Sequence, residues 1–246
     1  MQYLNAKPLI FGYPGKIHFD HPARLADLLS HGELDLALVS TFELLRMPEY
    51  QVVDGVSISA RGEVFSVFLA YQGELKDIKI VALDTASLTA SNLVRCILAE
   101  FHGISPEYVR STDSADDGAA RLLIGNQAVD FRNDFGSKYR YLDLGAEWLK
   151  QTSLPFVFAL WLVRKGVPDA VAVAGELRDI ELRGISSIKE IVRAERRYDA
   201  SFETRYLTEH IRYGLGAEEK AGIEKFRELL LKNGLIPPGH APLEFI

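Results

Sequence analysis

Cysteine is almost missing from this chain: of 246 residues only Cys96 carries a thiol. A single thiol excludes an internal disulfide framework and any Cys-x-x-Cys metal or redox site, and it fits a reducing compartment. Positive charge is also scarce. Against 34 Asp and Glu stand 28 Lys and Arg, a formal net charge of −6, with none of the clustered basic stripe that neutralising a phosphate backbone requires. No nucleic-acid partner is expected. No run approaches the ~20 consecutive apolar residues that span a bilayer, and the N-terminus carries neither a basic nor an apolar leader. A cytoplasmic protein with no membrane partner is therefore expected. The nucleophile elbow, the His-Glu-x-x-His pair, the Walker loop and the dinucleotide glycine fingerprint are all missing. The histidines at 18, 21, 31, 102, 210 and 240 are scattered and read as surface or cap residues. Glu63, Asp84 and Asp143 are isolated carboxylates, and Cys96 lies on the apolar side of a helix pattern, as a core residue does. No metal or organic cofactor is implied.

What is present is apolar material in short runs. A hydrophobic content of 48% allows one substantial core or two small ones. Predicted strands run over Leu34–Val39, Gln51–Ser59, Val64–Tyr71, Lys79–Leu83 and Pro155–Val163. They alternate with helical patterns over Ala23–Ser30, Thr41–Arg46, Ser87–Phe101, Gly118–Asn126 and Gly145–Gln151. That alternation predicts an α/β fold with crossover helices. Beyond Val163 the pattern predicts almost pure helix, over Pro168–Leu177, Ser186–Glu195, Phe202–Tyr213 and Glu218–Lys232. No flexible linker interrupts the chain. Phe65–Tyr71 and Phe156–Val163 are long apolar strands that suit two crossings between lobes, giving a discontinuous first lobe of 1–71 plus 157–246 and an inserted second lobe of 72–156. The same two runs also suit buried central strands of a single sheet.

Hydroxyls and amides cluster where predicted strands end and helices begin. The strand LDLALV leads into Ser40 and Thr41 ahead of FELLR, and KIVAL leads through Asp84, Thr85 and Ala86 to Ser87, Leu88 and Thr89 ahead of ASNLVRCILAEF. Free backbone N–H groups and the helix dipole make such corners anion sites, although each Ser or Thr reads equally as a plain N-cap. Asn5, in YLNAKP, offers both a donor and an acceptor at the end of a predicted first strand and the start of a Pro-initiated helix, or serves as a turn residue. Ser57, Ser59 and Ser66 alternate with apolar residues in SISARGEVFSVFLA and line one strand face, whether toward ligand or solvent.

Six ordered blocks then carry a resemblance over nearly the whole chain: YLNAKPL (3 to 9), LDLALVSTFELLR (34 to 46), GVSISARGEVFSV (55 to 67), LDTASLTASNL (83 to 93), LLIGNQAV (122 to 129) and YLDLGAEWLKQTSLPFVFALW (141 to 161). With these blocks the chain resembles the chorismate dehydratase and dihydroxynaphthoate synthase family of the futalosine route to menaquinone, on its dehydratase branch. The Pro/Asn/Asp-rich N-terminal signature and catalytic His of the sister branch are not found. The resemblance implies a periplasmic-binding-protein-like type II fold, two α/β lobes with a ligand cleft between them. It implies no cofactor, and as partner a small-molecule substrate, the dianion chorismate, which loses water to give 3-(1-carboxyvinyloxy)benzoate. It places Asn5, Ser40, Ser66, Ser87 and Thr89 toward the cleft, with Asn5 and Ser66 acting on substrate. Ser40 with Thr41, Ser57, and Ser87 with Leu88 and Thr89 complete the expected binding set, and Gly125 is expected to serve close packing or the cleft wall. Two departures stand out. Only Met1 and Gln2 precede the YLN block, where family members have a complete strand, so a shortened first strand is expected; Asn126 replaces the usual acid of the IGD block. A non-catalytic small-anion binding or sensing protein, or the naphthoate synthase itself, is the competing expectation.

Overall fold

Apolar runs too short for helices and rich in β-branched and aromatic residues become strands. In the computed structural model, which describes residues 3–47, 49–84, 87–110, 118–239 and 242–246, they build two five-stranded sheets. The first places β1 (Leu36–Ser40), β8 (Phe156–Arg164), β2 (Tyr50–Ala60) and β10 (Glu244–Phe245) side by side, with β9 (Arg212–Leu215) also paired to β2. The second runs β5 (Glu107–Arg110), β4 (Ile80–Leu83), β6 (Ala120–Ile124), β3 (Val67–Tyr71) and β7 (Arg140–Asp143). In the first sheet β8 is antiparallel to both β1 and β2, which sets Ser40, Ala159 and Ile58 in one row across three strands. In the second, β3 is antiparallel to β6, setting Val67 opposite Ile124.

The helices are α1 (Pro22–Ser30), α2 (Thr41–Arg46), α3 (Leu88–His102), α4 (Gly125–Phe135), α5 (Leu144–Thr152), α6 (Ala170–Ser186), α7 (Ile188–Glu195), α8 (Ala200–Arg205) and α9 (Ala217–Lys232). None of them is long and apolar enough to cross a membrane. Local chemistry sets several ends. Pro22 opens α1, where its missing N–H costs nothing. The Ser87 hydroxyl accepts from Ala90 N at 3.3 Å to start α3, and Gly103, at φ +64°, ends it. Between those caps Ala90, Leu93, Val94, Ile97 and Leu98 recur at helical spacing and are wholly buried. This stripe packs α3 against α5 within its own half of the chain and against α2 and α9 of the other half.

The two sheets are joined by the segment 61–66 and return through 153–155. Strand β3 pairs along its whole length inside the second sheet, with β6 on one side and β7 on the other. The return is stapled by an aromatic cluster: Trp148 of α5, Phe156 of β8 and Phe226 of α9 meet edge to face, and Trp148 Nε1 donates to the Pro155 carbonyl at 3.2 Å. Each such pair adds about 0.5–1.5 kcal/mol beyond its area.

Three expectations are corrected. Gly118–Asn126 is not a helix: the Leu-rich run from Ala120 to Ile124 is strand β6, held between β4 and β3, and α4 starts only at Gly125. The region after Val163 is not all helix, since the pattern over Phe202–Tyr213 breaks into α8, a π-helical turn Tyr206–His210 and strand β9, and β10 follows near the C-terminus. Asn5 ends no strand; it is the second residue of a 3₁₀ turn, Leu4–Ile10, with Pro8 inside. That turn lies directly on α6, where a Cβ at Gly184 would come within 1.9 Å of the Pro8 carbonyl, so only glycine permits the approach. Met1 and Gln2, where the shortened strand is expected, lie outside the described residues.

Candidate active site

Strand ends from both sheets converge on one small cavity. Its floor in the first sheet is the row Ser40, Ala159 and Ile58; its wall in the second is Val67, Ile124 and Gly125. Asn5 enters from the 3₁₀ turn, Ser66 from the residue before β3, and Ser87 from the N-cap of α3, with Tyr3 and Phe158 closing the sides. No Lys, Arg, His, Asp or Glu is among these lining residues. An anion here is met by hydroxyls and peptide dipoles, and no side chain in the wall serves as a strong base at neutral pH. The cavity measures about 50 Å³, far below the ~300–1,000 Å³ that a ligand of drug size occupies.

Beneath the wall lies a buried polar network. Ser66 Oγ is 2.7 Å from the phenol oxygen of Tyr206, and the Asn5 side chain lies beside the same phenol. Complete burial pushes the Tyr206 phenol upward, opposed only in part by the Ser66 hydroxyl and the Asn5 side chain beside it, so it stays neutral. Asn5 Oδ1 is buried and has no partner. The backbone around Ser66 is held as firmly. Its carbonyl accepts from Gly125 N at 2.8 Å, while Phe65 beside it takes φ +65°, a left-handed conformation that costs a bulky residue about 1–2 kcal/mol.

Asp143 maintains that conformation. Its carboxylate caps α5 through Ala146 N at 2.9 Å and also accepts from Val64 N at 3.1 Å and Phe65 N at 2.8 Å. Burial raises the Asp143 pKa, and the three N–H bonds pull it back. The Phe65 ring is pinned between Arg132, 4.3 Å above it, and Phe202, 5.0 Å away. Gly125 is confined too: φ is +58°, and a Cβ would lie 2.8 Å from the Tyr3 ring.

Of the eight residues singled out from the sequence, Asn5, Ser40, Ser66 and Ser87 line this cavity, and four do not. Thr89 is wholly buried, and its hydroxyl accepts from Phe42 N at 2.9 Å, capping α2 from the opposite half of the chain. Thr41 is buried with its hydroxyl unpartnered. The Ser57 hydroxyl is consumed within the first sheet, donating to the Gly214 carbonyl at 2.7 Å. Leu88, the first residue of α3, packs against the core. Thr85 and Ala86, in the turn before α3, lie outside the described residues. Tyr206 was not legible, because it falls in a helix-like stretch with no motif and meets Ser66 only through the fold. A larger cavity of about 590 Å³ lies along β1 and α6, lined by Leu9, Leu25, Leu36, Trp161 and Leu177 together with Lys16, His18, Asp35 and Glu176; it contains none of the eight residues expected from the sequence.

Two α/β halves joined by paired crossings, with polar strand ends facing a shared cleft, define the class of two-lobed binding-protein folds. Solved structures agree on that fold. A protein of Archaeoglobus fulgidus superposes with a TM-score of 0.72 at 18% identity, covering 95% of this chain and 96% of that one. The periplasmic aliphatic sulphonate binding protein SsuA of Escherichia coli does so with a TM-score of 0.64 at 16% identity, covering 99% and 92%. The chain belongs to the menaquinone biosynthesis family, whose family model matches residues 1–232. It is similar to the chorismate dehydratase of Thermus thermophilus, at 32% identity covering 85% of this chain and 84% of that one.

Proposed function

We propose that this protein is a chorismate dehydratase, a hydro-lyase that eliminates water from chorismate to give 3-(1-carboxyvinyloxy)benzoate for menaquinone biosynthesis. The observation that carries the reading is the meeting of Asn5, Ser40, Ser66 and Ser87, from four separate stretches of chain, in one cleft with no charged side chain among its described lining residues. We place the enzyme in the cytoplasm, where a lone buried thiol such as Cys96 stays reduced. The two sheets are the cores of two lobes, the inserted one running from β3 to α5.

The chemistry suits this wall. Loss of a ring proton and the neighbouring hydroxyl leaves an aromatic ring, so the elimination is strongly downhill and asks mainly for positioning. The two substrate carboxylates sit against the hydroxyls and N–H groups of the Ser40 and Ser87 corners. One of those carboxylates takes the ring proton, since the wall supplies no base. The C–O bond then breaks, and the departing oxygen collects that proton and leaves as water, oriented by Asn5 and Ser66. A cavity of about 50 Å³ admits no such substrate, so the lobes part for entry and close over it.

Incubation of the purified protein with chorismate is expected to produce an aromatic absorbance. Asn5→Ala and Ser66→Ala are each expected to lower kcat about 100- to 1,000-fold, the ~2.7–4 kcal/mol that one preorganised donor contributes to a transition state. Turnover within about threefold of wild type in both would remove them from the reaction. The fold of SsuA favours a second reading, capture of a small anion without chemistry. Saturable chorismate binding with no aromatic product would establish it.

A further inference from the structure

We propose that Tyr3 is a substrate-contacting residue whose ring is the flat wall that fixes the rotation of the substrate's carbon ring in the cleft. This rests on the dehydratase reading above and deepens it.

A body held at two points still turns about the line that joins them. The Ser40 and Ser87 corners give the dianion two such points, one for each carboxylate, and Asn5 and Ser66 act on its hydroxyl only while that hydroxyl is turned toward them. A third, apolar contact stops the turning, so that the proton and hydroxyl that leave stand at fixed positions. Two aromatic rings are found among the described lining residues, those of Tyr3 and Phe158. Phe158 lies on β8 and is braced edge to face on Phe156, with centroids 4.8 Å apart. Tyr3 enters from the same stretch of chain as Asn5, one residue apart from it.

The fold seats the Tyr3 ring. Its backbone is extended, at φ −77° and ψ 148°, and its carbonyl accepts from Ala6 N at 3.0 Å, which ties it to the 3₁₀ turn. The ring runs alongside Gly125: a Cβ there would lie 3.3, 2.8 and 2.9 Å from the ring carbons Cγ, Cδ1 and Cε1, so only glycine leaves the ring in place. Gly125 N in turn donates to the Ser66 carbonyl at 2.8 Å, and this short chain of contacts sets the ring relative to the Ser66 backbone. The 3₁₀ turn packs on α6, which lies against β2 of the first sheet, whereas Gly125 opens α4 directly after β6 of the second. The wall is therefore assembled only where the two halves meet. Burial first, and then the Asp84 charge, push the Tyr3 phenol up, so the ring meets a dianion in its neutral form. A flat wall also favours the transition state over the substrate, since a ring that flattens as it aromatises packs more closely on another flat ring.

Tyr3→Phe keeps the wall and deletes the phenol oxygen, while Tyr3→Ala deletes the wall. In chorismate turnover Tyr3→Phe is expected to stay within about threefold of wild type, and Tyr3→Ala to lose about 100-fold in kcat/KM, as for a reacting group displaced by roughly an ångström. Binding is measured in parallel by calorimetry with benzene-1,3-dicarboxylate, a flat ring bearing two carboxylates, and with pentanedioate, which separates its carboxylates by the same number of carbons and has no ring. The Kd of the ring compound is expected to rise about tenfold in Tyr3→Ala, as for one lost aromatic contact, and that of pentanedioate by less than about threefold. Tyr3→Ala turnover within about threefold of wild type, equal losses for the two dicarboxylates, or no binding of either compound to the wild type overturns the proposal and leaves the dehydratase reading intact. A wild-type protein that makes no aromatic product overturns that reading, and the two dicarboxylates then decide for the wall alone.

Discussion

Asp143→Asn separates the shape of the cleft from the stability of the fold. Asn keeps an acceptor for Val64 N and Ala146 N, both of which bond to Oδ1, but it sets an NH₂ group against Phe65 N, which bonds to Oδ2 at 2.8 Å. The lost charge-assisted bond is worth about 1.5–3 kcal/mol. Two terms work the other way. Phe65 released from φ +65° recovers about 1–2 kcal/mol of backbone strain, and Asn has no charge to desolvate. The net loss in urea unfolding is therefore expected to be near 1 kcal/mol. Activity has no such compensation. Relaxation of Phe65 carries Ser66 away from Tyr206, and kcat/KM for chorismate is expected to fall about 100-fold.

The pH dependence follows from the sign of the shift. The Asp143 pKa is raised in the folded state, so its contribution is complete below the unfolded value and is lost as pH rises through the folded one. The stability deficit of Asp143→Asn is accordingly expected to be largest in acid and to shrink toward neutrality, read from urea midpoints across that range. A variant with kcat/KM within about threefold of wild type, or a deficit that grows with pH, would refute the reasoning.

Thr89→Val keeps the side-chain shape but orphans Phe42 N at the start of α2, and is expected to cost about 1–2 kcal/mol in urea unfolding, with recovery in Thr89→Ser; a valine variant as stable as wild type would show that the cross-cleft cap contributes nothing. Gly125→Ala places a methyl 2.8 Å from the Tyr3 ring at φ +58°, for an expected loss of about 1–3 kcal/mol with reduced turnover, measured by thermal unfolding and the chorismate assay. Burial pushes the Cys96 thiol up to about 12, so the native protein is expected to resist a thiol reagent at pH 8 and the unfolded protein to react; rapid native labelling would contradict the packing of α3.

Legibility in the sequence tracked burial. The strands β1, β2, β4 and β8 are buried along most of their length, so their apolar runs announce them. β5 (EYVR), β7 (RYLD) and β9 (RYGL) are short and carry charged residues on exposed positions, and nothing in four such residues exceeds the noise of a loop. ARLLI of β6 has a composition that suits a helix as well as a strand; pairing with β3 and β4 decided it.

For the site, polar side chains ahead of helix N-termini have a local physical meaning that pointed to Asn5, Ser40 and Ser87, whereas Ser66, in a predicted strand, was singled out only through the family resemblance. Thr41 and Thr89 share that local signal and face elsewhere, since orientation is a property of the packed sheets. By itself the sequence determined the class: an α/β chain without metal, thiol or nucleophile motifs, with polar corners at its strand ends. Only tertiary structure could decide that Tyr206, 140 residues beyond Ser66, sets its buried oxygen 2.7 Å from that hydroxyl, and that Asp143 bonds to Phe65 N across 78 residues. Hydrogen bonds of that reach depend on which surfaces two lobes bury together, and no local propensity encodes them.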